Sequence, residues 1–110
     1  MGDLFDFASG NVLKTEGMEA AALHQAELLR VARNAAEWVA TYGNGYGTCT
    51  SDDVAMRMQY LGYRYGDLGN AAGSIFASKR WRFTGDRVKS RRPSAHAREI
   101  KVWRLIDGNA

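Results

Sequence analysis

The chain has 110 residues, 45% apolar and 25% charged, which suits one globular unit and leaves no room for a catalytic domain with a separate binding domain. No apolar run approaches the roughly 20 residues that span a bilayer, the acidic start "MGDLFDFASGN" does not resemble a secretory signal, and one cysteine, Cys49, excludes an internal disulfide, so a soluble cytoplasmic protein is expected. The net charge of +3 is unevenly spread: residues 1–78 hold five bases and nine acids, whereas residues 79–105 hold ten bases and two acids, a local +8 that points to an anionic partner.

Residues 1–14 read as a flexible leader in which Leu4, Phe5 and Phe7 are set around Asp3 and Asp6. The stretch "DLFDF" loosely resembles the Leu-Phe peptides that dock on bacterial sliding clamps, without the glutamine that usually opens that motif. Packing onto its own domain is the plainer alternative. From residue 18 to 42 the pattern is helical: Leu28, Ala32, Ala35, Val39 and Tyr42 recur at spacings of four and three, with Glu27, Arg30, Arg33, Asn34 and Glu37 opposite. A helix of about 25 residues is roughly 37 Å long. That exceeds what one face of a small domain needs, so its alanine-rich surface is a candidate homodimer contact, or else it closes over the core.

"GNGYGT" ends this helix, and residues 48–50 suit a very short strand. Thr50 and Asp53 form the T-x-x-D capping box of a second helix, Asp52 and Asp53 complement its terminus, and Val54, Met58 and Leu61 supply its buried stripe. "GYRYGD" is a turn with Asp67 as the next N-cap. Leu68, Ala72, Ile75 and Phe76 then predict a third helix of about three turns, ending near Ser78 or Lys79. Beyond it the period becomes two: Trp81 and Phe83 share one face of a strand against Arg80, Arg82 and Thr84, and Gly85-Asp86 begins a bend. The return strand covers residues 100–106, with Ile100, Val102, Arg104 and Ile106 on one face. A loop of about 14 residues, holding the lone Pro93, lies between, too long for a tight hairpin.

The order helix, tiny strand, helix, turn, helix, strand, basic loop, strand resembles a winged-helix domain, a helix-turn-helix variant, over roughly residues 18–107. The resemblance implies an α+β fold, three helices with a small antiparallel hairpin, within a domain of residues 15–107 followed by a tail of residues 108–110. It also implies that the third helix enters the DNA major groove and that the loop, or wing, touches the flanking backbone or minor groove. "RFTGDRVKSRRPSAHAREIKVWRL" is similar to the wing of small uncharacterised winged-helix-like proteins found in phage genomes, where a His-Ala-Arg element runs into V-W-R.

Lys and Arg contacts to duplex phosphates gain affinity by releasing condensed counterions. Arg87, Lys89, Arg91, Arg92 and Arg98 lie on or beside the loop, and Lys79, Arg80, Arg82 and Lys101 on its supports; His96 is a further candidate phosphate contact. Arg91-Arg92-Pro93 is the expected wing tip, where Arg suits a narrow minor groove. On the outward face of the third helix only Asn70, and more weakly Ser74, offers base-reading chemistry, so modest specificity for double-stranded DNA is expected. The alternatives are an interaction module that binds an acidic partner surface, and a solvated basic face without a ligand.

Catalysis and cofactors are not expected. "GNGYG" lacks the Lys-Ser/Thr of a phosphate-binding loop, and His24, His96 and Cys49 have no metal-ligand spacing. Asp52 and Asp53 are explained by a helix cap, and Ser94 with His96 has no orienting acid.

Overall fold

In a computed structural model that describes residues 9–106, with side chains from His24 onward, helix α1 runs over Ser9–Trp38 and so begins nine residues before the predicted start. It takes in the second half of the expected leader; the first half, with Leu4, Phe5 and Phe7, lies outside the described residues. Leu28, Val31, Ala32, Ala35, Ala36, Val39 and Ala40 form the buried face of this segment. The alanines at 32, 35, 36 and 40 let other elements approach α1 closely, and burial in the core removes them from any dimer surface. Ala20, Ala21 and Ala22 lie outside the described side chains.

Tyr42 departs from the expected stripe and is 74% exposed. The reason is a π-helical turn over Val39–Gly43. Its i→i+5 bonds insert an extra residue per ring, which carries Ala40 into the core and rotates Tyr42 out.

Strand β1, Thr48–Cys49, leads into α2, Ser51–Tyr60. The predicted capping box is present: Thr50 Oγ1 accepts from the Asp53 amide at 3.3 Å, and the Thr50 amide donates to Asp53 Oδ2 at 2.9 Å. Val54 and Met58 are fully buried, but Leu61 is 43% exposed because the helix stops before it. The stop is a Schellman motif. The Tyr63 amide donates to Met58 O at 2.8 Å and the Gly62 amide to Gln59 O at 3.0 Å, with Gly62 at φ 92°, a conformation only glycine adopts without strain.

The third helix is not the continuous α-helix predicted. Tyr65–Ser74 is a 3-10 helix broken at Gly69, whose φ of 55° and ψ of −132° are not helical. Asp67 does not cap it; Arg64 holds the N-cap position, with no side-chain bond to the helix. Gly66, Gly69 and Gly73 weaken α-helical bonding here, so tertiary contacts hold the segment. Leu68 and Ile75 are buried, Gln25 Nε2 donates to Leu68 O at 2.8 Å, and Arg33 donates to Ser74 O at 3.2 Å.

Strands β2, Trp81–Lys89, and β3, Glu99–Leu105, form an antiparallel hairpin, and β1 pairs with the other side of β3 to give the sheet order β1-β3-β2. The fold is α+β, three helices with a small antiparallel sheet. Gly85-Asp86 does not start the hairpin loop. A bulge between Phe83 and Arg87 absorbs these residues with Gly85 at φ 93°, and β2 continues to Lys89. Thr84 Oγ1 braces the bulge, donating to Val102 O at 3.0 Å and accepting from the Asp86 amide at 3.1 Å. The loop is therefore residues 90–98, shorter than expected. Among the described residues no helix is long and apolar enough to cross a membrane.

Met58 and Leu61 test the assignment of the α2 stripe. Urea denaturation of Met58→Ala is expected to show a loss of about 2–4 kcal/mol, and of Leu61→Ala less than about 1 kcal/mol, because only the first leaves a cavity.

Candidate functional site

The hairpin is fastened by aromatic rings. Phe76, just after the 3-10 helix, stacks on Trp103 with centroids 5.4 Å apart and planes 7° apart, and meets Trp81 edge-on at 4.9 Å; Phe83 leans on Trp103 at 5.8 Å. Directly paired residues of an antiparallel ladder share a face. Trp81 opposite Leu105 and Phe83 opposite Trp103 therefore define the side turned to the helices.

Further along that same face the residues become charged, first a like-charged pair, Arg87 opposite Lys101, and then an oppositely charged one, Lys89 opposite Glu99. The Arg87 guanidinium lies 5.1 Å from the Phe83 ring centre and the Lys101 ammonium 5.2 Å from it, so the outer cations rest on the inner aromatics. On the reverse face Arg82 stands opposite Arg104, whose guanidinium also donates to Tyr46 O at 3.2 Å. The arm thus carries cations on both faces, which departs from the single basic surface the sequence suggests.

The loop is held down at one point. Asp52, in the first turn of α2, accepts from Ser90 Oγ at 2.6 Å, from the Arg91 amide at 2.7 Å and from Arg92 Nε at 2.6 Å. Arg92 also donates to Ser51 Oγ at 3.2 Å and lies 4.5 Å from the Tyr65 ring centre. Burial alone would raise the Asp52 carboxyl; the bonds from Ser90, Arg91 and Arg92 outweigh it and hold the pKa below the usual carboxylate value. Asp52 is therefore a latch for the loop rather than a second helix cap. Arg92 is correspondingly neutralised within the domain, which removes it from the expected wing tip.

Of the ten bases in residues 79–105, Arg80 pairs with Glu37 and Arg92 with Asp52 among the described residues. Lys79, Arg82, Arg87, Lys89, Arg91, Arg98 and Lys101 are exposed, as is His96. His96 and Ala97 adopt φ of 50° and 60°, a left-handed pair that turns the chain into β3. Asn70 is exposed on the 3-10 helix, whereas Ser74 is half-buried.

Two features escape the sequence pattern. Arg104 belongs to the basic arm, and the alternation of residues 100–106 carries that signal. Arg57 sits 3.8 Å from the Trp38 ring centre and 5.1 Å from that of Tyr60, with its Nε buried and without a hydrogen-bond partner among the described residues. Only the i, i+3 relation to Tyr60 is visible in sequence. Cys49 is buried, and burial first, then Asp53, pushes its thiol far up, so it is poorly nucleophilic. No protein-family model, curated protein or solved structure matches the chain.

The latch has a pH signature. A carboxyl whose native pKa is depressed contributes stability that is full above its unfolded value, about 3.9, and is lost as pH falls through the lower native value. Asp52→Asn is expected to flatten the decline of Tm below about pH 4 relative to wild type, while Asp52→Ala lowers stability at neutral pH by about 2 kcal/mol; thermal melts across pH 2.5–7 check both.

Proposed function

We propose that the chain is a non-enzymatic, winged-helix-like protein that binds double-stranded DNA through its basic hairpin, with modest sequence specificity. The observation that carries this reading is the pair of like-charged contacts built into the ladder, Arg82 opposite Arg104 and Arg87 opposite Lys101. Like charges directly opposite one another destabilise an isolated sheet. None of these four forms an ion pair among the described residues, and phosphates on either side of the ribbon offset the repulsion. The element order, helix, short strand, two helices and hairpin, supports the winged-helix reading. The B-DNA major groove, about 12 Å wide, admits a two-stranded ribbon.

Phosphate contact on this reading comes from Lys79, Arg82, Arg87, Lys89, Arg91, Arg98, Lys101 and Arg104, with His96 beside them. Asn70 is the base-reading candidate of the 3-10 helix, and one such residue agrees with modest specificity. A second reading, an interaction module for an acidic protein surface, draws on that scarcity of base-reading side chains.

The two sets of arginines separate by salt dependence. Each lost phosphate contact flattens the log–log slope of affinity against salt by about 0.9. Arg87→Ala with Lys101→Ala is expected to flatten it by about one to two units, whereas Arg92→Ala leaves it unchanged because that charge is already compensated. Fluorescence anisotropy with a random duplex measures both, and an unaltered slope in the double variant counts against the arm.

A further inference from the structure

At the end of α1 and along α2 the surface carries a connected row of rings around one cation. Trp38 and Tyr42 have ring centres 6.1 Å apart, and the Arg57 guanidinium lies 3.8 Å from the Trp38 ring centre and 5.1 Å from that of Tyr60. Tyr42 and Tyr60, at the two ends of the row, are 74% and 79% exposed. Single surface aromatics are ordinary, whereas a contiguous exposed row marks a binding face. Arg57 joins no ion pair among the described residues, and its Nε is buried without a hydrogen-bond partner among them. The described acids of α1 and α2 are engaged elsewhere: Glu27 by Arg30, Glu37 by Arg80, Asp52 by the loop and Asp53 by the Thr50 cap.

We propose that this row is a stacking site for the unpaired bases of a DNA single strand, with Tyr42 and Tyr60 each taking a base and Arg57 a phosphate. Every base has a π-face, so an exposed ring accepts any of them, and an uncompensated planar cation among the rings suits the backbone between. A second copy of the chain fits less well, because it would bring another Arg57 to the same face. From this row the chain runs directly to the basic hairpin: Tyr46 follows Tyr42 by four residues, and its carbonyl accepts from Arg104 of β3 at 3.2 Å. Two rings and one cation make a weaker site than the hairpin. The inference goes beyond duplex binding and does not depend on it.

Anisotropy of a fluorescein-labelled oligothymidylate of about 12 nucleotides, beside an abasic strand of equal length, isolates the contribution of the bases. The full chain is expected to bind oligothymidylate about tenfold more tightly than the abasic strand. Tyr42→Ala with Tyr60→Ala brings that ratio to about one, whereas Tyr42→Phe with Tyr60→Phe keeps it, because the ring and not the hydroxyl stacks. Arg57→Gln flattens the log–log salt slope for both strands by about 0.7. Arg87→Ala with Lys101→Ala leaves the ratio unchanged, so failure of the hairpin as the duplex contact is read separately. Equal binding of the two strands by the wild type, a ratio that survives loss of both rings, or an unaltered slope in Arg57→Gln overturns the proposal. So does binding of oligouridylate alone, or a double variant whose sole effect is the loss of self-association.

Discussion

Phe76 wedged against Trp81 and Trp103 is the contact on which the functional part of the molecule depends. The hairpin shares few other apolar side chains with the helices, since most of its outer positions are charged. Each large aromatic removes about 150–250 Å² from water, and three of them meeting at one point give two strands a fixed direction. The same rings then support Arg87 and Lys101, so packing energy at the base of the arm sets where the outer charges stand.

That placement has an electrostatic consequence. A hairpin with two like-charged cross-strand pairs is stabilised poorly by its own side chains, and among the described residues Glu37 and Asp52 neutralise two bases of the segment, Arg80 and Arg92. Asp52 acts at the base of the loop, where three donors converge on one carboxylate, and it orders residues 90–92 without shielding the strands. The remaining cations stay exposed on a braced frame. Pre-ordering of this kind lowers the entropy lost when a polyanion binds.

Much of this plan was legible in the sequence. The apolar spacing from Leu28 to Val39, the Thr50–Asp53 box, the alternation of Trp81 with Phe83 and the charge polarity all foreshadow the observed elements. The misses share a physical cause, namely tertiary or local geometry overriding periodicity. Tyr42 leaves the core because a π-helical turn shifts the helix phase. Leu61 is exposed because Gly62 stops the helix first. Glycine-rich residues 66–73 adopt 3-10 geometry although Leu68 and Ile75 keep their predicted burial. Gly85 looked like a turn and is a bulge, since a positive φ serves either. The Asp52–Arg92 pair joins residues 40 apart, which no local pattern reports.

The central claim is that a braced, two-faced basic ribbon binds a polyanion. Its most direct test is the affinity of the wild-type chain for a random DNA duplex and for single strands across a salt series. The account predicts duplex binding that weakens with a log–log slope of about −3 to −6, corresponding to several released counterions, and weaker binding to single strands. Absence of binding at low salt, or a slope near zero, would contradict it.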